Sequence, residues 1–212
     1  MKRFLLILIF TVLFFTGFTQ HFNGGVFLGG DVSQVDGDNN AGFHKFGYLG
    51  GGFVSLRVSP HSSFQLELGY IQKGSRIGDT LSNAGTTYLM RFHYLEVPLL
   101  YQYTFAKRFS CEAGPTLDVL LGSLEESNGI ETQSTVPLRP VTLAGIVGVS
   151  GFISKHLKAN LRFNYSLLSI RDISGMQTIP RSYRHIFFET GQYNNVISFS
   201  FMWYFKENDF GF

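Results

Sequence analysis

The chain has a single cysteine, Cys111. That excludes an intrachain disulfide framework and any multi-cysteine metal site. Cys111 falls in an alternating, strand-like stretch, where a free cysteine reads as a small packing residue. Charge is also scarce: Asp, Glu, Lys and Arg make up 15% of the 212 residues and sum to a net charge of +2. No basic surplus marks a nucleic-acid footprint. Beyond the N-terminus no apolar run approaches the roughly 20 residues a spanning helix needs. Abundant instead are Phe (23), Gly (24) and Tyr (10). With few charges and many alternating segments, this composition fits a β-barrel better than a helical domain.

At the N-terminus, Lys2 and Arg3 precede an apolar run from Phe4 to Phe15, and small or polar residues follow. This pattern predicts a cleaved secretory signal peptide at residues 1–20 and one exported domain at 21–212. A retained anchoring helix is the alternative, but the apolar run is short for it. No cysteine follows the run to carry a lipoprotein anchor.

Eight strands are expected from period-two alternation and turn residues, at 22–32, 46–58, 63–75, 88–105, 109–121, 139–153, 157–168 and 192–205. In LKANLRFNYSLL the apolar set Leu157, Ala159, Leu161, Phe163, Tyr165 and Leu167 alternates with Lys158, Asn160, Arg162, Asn164 and Ser166. SPHSS, AKR and SKH make three tight connections. The others are long: about 33–45, 76–87, 122–138 and 169–191. Short and long connections alternate, as in an up-and-down barrel whose two ends face different compartments.

The open question is which face lies inside. Strand length, turn asymmetry and the polar face all put the oily face outward, against lipid. Arg57, Glu67, Glu96, Glu112, Asp118, Lys158 and Arg162 recur on the wet face. They are expected to form a lumenal charge network, with Glu96 paired to Arg162 or a neighbouring cation, because a narrow interior tolerates charge only when it is paired. Aromatics near strand ends are expected to form interface girdles: Phe46, Tyr48, Tyr101, Tyr103, Trp203, Tyr204 and Phe205. Pro98 lacks a ladder donor and predicts a bulge or edge-like irregularity. A soluble ligand-binding barrel of lipocalin type is the alternative; it would place the oily face inside.

FNGGVFLGGDVSQVDGDNNAGFHKFGYLGGGFV, FQLELGYIQKGSR, YLEVPLLYQY and CEAGPTLDVLLG, in that order, resemble the outer-membrane β-barrel proteins common in Bacteroidota, often called porin-family or PorT-family proteins. The resemblance spans residues 22–205. It implies an eight-stranded antiparallel up-and-down transmembrane β-barrel in the outer membrane of a Gram-negative bacterium, inserted by the barrel-assembly machinery. It says little about activity. The family's namesake serves type IX secretion, and no block here singles out that role. The name "porin" fits poorly, since eight strands leave no open channel.

No site chemistry stands out. Asp36, Asp38 and Asn40 alternate as in a calcium loop, but Ala41 and Gly47 occupy the positions that need Gly and Glu. Gly24, Gly25, Gly29, Gly30 and Gly50 to Gly52 precede no Lys-Ser/Thr and no helix, so they read as relief of crowding rather than a phosphate cradle. His44, His93 and His185, with Asp79 or Glu189, could meet at the extracellular rim, but no serine has a nucleophile setting. His21, His61 and His156 are scattered. Arg171, Arg181, Arg184 and His185 could contact lipopolysaccharide phosphates. The expectation is a non-enzymatic protein without metal or cofactor. Its extracellular loops serve a structural, adhesive or assembly-partner role, and its partners are outer-membrane lipid, lipopolysaccharide and loop-bound proteins. A narrow pore or a barrel binding a small or lipidic ligand is the alternative.

Overall fold

The computed structural model describes residues 21–38, 42–78, 87–132, 136–172 and 191–207. Among these residues nine strands form: β1 (His21–Asp36), β2 (Lys45–Arg57), β3 (Ser62–Ile77), β4 (Tyr88–Ala106), β5 (Phe109–Ser127), β6 (Ile130–Glu131), β7 (Val141–Phe152), β8 (Leu157–Ser166) and β9 (Tyr193–Tyr204). Every pairing is antiparallel. Eight strands run in the order β4-β3-β2-β1-β9-β8-β7-β5, and β4 pairs with β5 to close the ring. Closure satisfies the backbone of every wall strand and leaves no edge, which a strand wall in lipid requires. The two-residue β6 is a ninth strand outside this ring, paired only to the end of β5.

The alternation of side chains decides the two surfaces. Leu28, Leu66, Leu68, Leu99, Val147, Val149, Leu161, Phe199 and Phe201 all point outward and are exposed. Glu67, Lys73, Glu112, Asp118, Lys158 and Arg162 point inward and are buried. The barrel is therefore oily outside and polar within, the reverse of a soluble ligand-binding barrel.

The inner face is not uniformly wet. Phe27, Leu49, Phe53, Phe92, Tyr94, Met202 and Tyr204 are buried among the polar groups. Two inward glycines make room for the rings. A Cβ on Gly69 would stand 2.6 Å from Phe27 Cζ, and one on Gly25 would stand 2.5 Å from Phe53 Cζ. Large rings are thus seated over missing side chains on neighbouring strands.

The strands are unequal. β4 and β5 have 19 residues each, while β8 has 10. Pairing of β5 with β7 stops at Val119↔Val141, but pairing with β4 continues to Tyr88↔Ser127. At about 3.3 Å per residue, β5 therefore projects on the order of 25 Å beyond β7. The stretch expected to be loop from residue 122 is instead strand as far as Ser127. It ends in a two-residue hairpin at Asn128 (φ 52°) and Gly129 (φ 74°), which leads into β6. Positive φ at both central residues is the geometry that Asn-Gly favours.

Pro98 does not sit at a register shift. The ladder to β5 runs through Pro98↔Thr116 in step, and the ladder to β3 lacks only the positions between Leu66↔Leu99 and Gly69↔Glu96. The missing donor opens a gap without adding a residue. The β4–β5 ladder shifts elsewhere, between His93 and Tyr94, where β5 carries the extra residue Leu121, and between Thr104 and Ala106, where β4 carries the extra residue Phe105.

Candidate functional site: the lumen and its two rims

Three buried cations, each from a different strand or loop, organise the lumen. Arg162 on β8 is the lowest. Its Nη1 and Nη2 donate to Glu67 Oε2 and Oε1 at 2.7 and 2.6 Å, and its Nε donates to Glu112 Oε1 at 2.5 Å. The fork geometry lets one guanidinium bridge β3 and β5 across the barrel. Side-chain amides satisfy the remaining acceptors. Gln65 donates to Glu67, Gln102 to Glu112 at 2.9 Å, and Asn160 to Glu112 at 3.0 Å. Lys158 Nζ lies 5.4 Å from the centre of the Phe152 ring and donates to Gln102 Oε1 at 3.4 Å.

Lys73 on β3 centres the second group. Its Nζ lies 2.8 Å from Glu96 Oε1 and 2.6 Å from Asp118 Oδ2, and 5.6 Å from the Tyr94 ring centre. Asn164 donates to Glu96 at 2.6 Å, and Thr116 to Asp118 at 3.3 Å. Arg171 centres the third group, near the end of the barrel that carries the long connections. It donates to Gln192 Oε1 at 2.6 Å, to the Val136 carbonyl at 2.7 Å and to Glu125.

The lumen brings together Glu67, Glu96, Glu112, Asp118, Lys158 and Arg162. Arg57 stands apart, exposed at the short-turn end of β2. Glu96 pairs with Lys73 rather than Arg162, because Arg162 is fully engaged by Glu67 and Glu112. Two of the organising cations were not among the residues expected in the network. Lys73 shares the inward parity of Gln65 and Glu67 on one strand, so the alternation carried its signal. Arg171 lies in a segment read as loop, where no periodicity exists to place it. It is buried and ligated within the protein, so it is not exposed for lipopolysaccharide. Arg181, Arg184 and His185 lie outside the described residues.

The outer surface carries aromatic residues at both ends. Tyr101, Tyr103, Trp203 and Phe205 are exposed near the short-turn end. There Trp203 stacks on His156 at 5.3 Å and Tyr101 hydrogen-bonds Ser62 at 2.8 Å. Tyr48 is exposed near the other end, where it stacks on Tyr70 at 5.3 Å. Tyr204 does not join them. It points inward and packs on Phe53 and Phe152.

The histidine rim is not assembled among the described residues. His93 lies on the outer wall with Nδ1 2.5 Å from Tyr70 Oη. Asp79, His185 and Glu189 fall outside the described residues. Asp36, first of the calcium-like run, ends β1 and accepts from Tyr165 and Gln34 at 3.0 Å each.

The sequence matches the family described as outer membrane protein beta-barrel domain over residues 17–172. No curated protein matches it. Among solved structures, the fold is similar to Ail, the attachment invasion locus protein of Yersinia pestis, crystallised with the heparin analogue sucrose octasulfate. That likeness has 10% identity and a TM-score of 0.46, covering 87% of this chain and 99% of that one. Neisserial surface protein A is similar at 11% identity and TM-score 0.44, covering 86% and 96%. OprG from Pseudomonas aeruginosa is similar at 14% identity and TM-score 0.40, covering 87% and 94%.

Proposed function

From the premise that this chain belongs to the outer membrane protein beta-barrel domain family and is an eight-stranded barrel of the outer membrane, we propose that it is a closed, non-enzymatic membrane anchor. Its role is adhesion or assembly with a protein partner through its extracellular side. The supporting observation is a contrast within one barrel. The lumen is crossed by ion-paired groups around Arg162, Lys73 and Arg171, while β3, β4 and β5 continue outward past the shorter wall of β7, β8 and β9. Buried charges bridged across a narrow interior hold the wall together and fill the space a channel would use. The projecting strands present backbone and side chains above the rim of the shorter wall.

The same reading includes a cleaved signal peptide at 1–20, a place among the Bacteroidota-type porin-family or PorT-family proteins, insertion by the barrel-assembly machinery, and girdles at Tyr48, Tyr101, Tyr103, Trp203 and Phe205. A type IX secretion role is one form the assembly function could take.

Planar-bilayer recording tests closure, and a loop exchange tests the surface role. The wild-type protein is expected to give no stepwise conductance. Replacing Leu124–Thr132 with a short Gly-Ser turn is expected to abolish attachment or partner capture by whole cells while leaving the heat-dependent gel shift intact. Stable unitary currents from the wild-type protein would instead favour the narrow-pore reading. Unaltered attachment and capture after the exchange would remove the surface role from the projecting strands.

A further inference from the structure

We propose that the outer wall carries a binding site for the phosphorylated headgroup of an outer-leaflet glycolipid, built from Arg76 and Arg91 beside the buried Lys45, where β2 and β3 part. The β2–β3 ladder ends at Leu49↔Ile71. Above it each strand stays paired on its other side, β1 with β2 up to Ser33↔Lys45 and β3 with β4 up to Ile77↔Tyr88. The wall therefore splits locally. Gly74, at φ +147°, bends β3 within the split, and a Cβ there would lie 2.9 Å from Lys45 Cδ. Lys45 fills the gap in place of a ladder bond, its Nζ donating to the Gln72 carbonyl at 2.9 Å and to Gln72 Oε1 at 3.3 Å.

The split opens sideways into a groove of about 540 Å³ lined by Lys45, Gln72, Arg76 and Arg91, with Phe46 and Leu89 as apolar flanks. Arg76 is exposed and Arg91 half-buried, and neither has an ion-pair partner among the described residues. One carboxylate, Glu126, lines the same groove and leaves the cations in excess. Gathering like charges in one groove is unfavourable unless an anion shares it, and guanidinium forks match phosphate oxygens.

The position selects the source of that phosphate. Directly below, the outward residues are Tyr48, stacked on Tyr70, then Leu68, Leu66 and Phe64 on β3, and Leu95, Val97 and Leu99 on β4. From Phe105 to His93 the outer face of β4 spans on the order of 40 Å along the strand, or about 30 Å along the barrel axis at a 40° tilt. That matches the hydrocarbon thickness and leaves the groove at headgroup level. A lipid whose acyl chains lie on this wall puts its phosphate into the groove. The groove faces sideways into the leaflet, away from the lumen mouth where a soluble anion would arrive.

The test uses the full mature protein in detergent micelles, with native mass spectrometry of retained lipid. Bis-phosphorylated lipid A is compared with lipid A stripped of both phosphates. Retention of the phosphorylated form is expected to be roughly thirty-fold stronger, at about five-fold per cation–phosphate contact. R76Q/R91Q should lose a similar factor and R76K/R91K less, while R57Q/K107Q at the periplasmic end should lose nothing. Equal retention of the two lipids, or an equal loss in the periplasmic control, would overturn the site. Should R76Q/R91Q lose its heat-dependent gel shift, the wild-type protein still decides the question through the ¹⁵N Nε signals of Arg76 and Arg91. Movement with phosphorylated lipid A alone supports the site. No movement, or equal movement with inorganic phosphate, overturns it.

Discussion

Arg162→Met tests whether the lumen holds the barrel together. The substitution keeps much of the side-chain volume but removes three charge-assisted hydrogen bonds at 2.5–2.7 Å. It strands Glu67 and Glu112 inside the barrel, where they are 1% and 4% exposed. Removing one partner of a buried ion pair costs about 3–5 kcal/mol, because the remaining charge keeps its desolvation penalty without its counter-charge. Lys158 cannot fully replace Arg162, since it is held by Gln102 and Phe152. The quadruple variant R162M/K158M/E67Q/E112Q removes the whole charge cluster, buried Lys158 included, and should return to within about 1–2 kcal/mol of wild type. Urea unfolding in phospholipid vesicles measures both. Trp203 is the only tryptophan and lies 49% exposed on the outer wall, so its emission follows transfer out of lipid. If R162M changed stability by less than about 0.5 kcal/mol, water would be solvating the lumenal carboxylates and the ion pairs would not be structural. If the quadruple variant were no better than R162M, the penalty would come from shape rather than stranded charge.

Gly25→Val should abolish the heat-dependent gel shift, because a Cβ there would meet the Trp203 carbonyl at 2.0 Å; Gly52→Ala, with nothing nearer than 3.6 Å, should keep it. Cys111 is exposed on the outer wall of β5. In vesicles it should react with a lipid-soluble maleimide and resist a charged methanethiosulfonate, and rapid reaction with the charged reagent would place that face in water. At the short-turn end, Lys155 hydrogen-bonds Glu207 at 2.8 Å, and this bond and charge hold the Glu207 carboxyl below its ordinary range. A depressed carboxylate contributes stability above its unfolded pKa and loses it as pH falls through the folded value. At an exposed pair that contribution is too screened to register. K155A should therefore raise the Glu207 titration midpoint seen by carboxyl ¹³C NMR without moving the unfolding curve; an unmoved midpoint would count against the bond.

Strand count, the short-turn end of the barrel and the direction of the two faces were readable because alternation with period two survives in every wall strand. β3 shows this most plainly, with Phe64, Leu66 and Leu68 outside and Gln65 and Glu67 inside. Pairing partners were not readable. Glu96 and Arg162 share a face, yet closure sets the registers, and those registers bring Lys73 to Glu96 and both Glu67 and Glu112 to Arg162. The inward rings of Phe27 and Phe53 were hidden for a related reason. Each depends on a glycine in another strand, Gly69 for one and Gly25 for the other, and a single-strand pattern has no access to that. The extent of β5 was partly visible. Asn128-Gly129 is a hairpin signal, but the flanking residues Glu125, Glu126 and Ser127 resemble loop, and only pairing with β4 makes them strand.

The state of each cation separates structural roles from binding ones. Arg162 and Lys73 each face two carboxylates within 2.8 Å, and Arg171 is ligated by one carboxylate, one amide and one carbonyl. A ligand reaching any of them would have to displace buried hydrogen bonds, which the general cost of unsatisfied buried groups forbids. Arg76 and Arg91 stand on the outer wall with no such commitment among the described residues. The three organising cations inside the barrel are spent on closing it, so recognition falls to the surface: phosphate at the split between β2 and β3, and a protein partner at the projecting edge of β4 and β5.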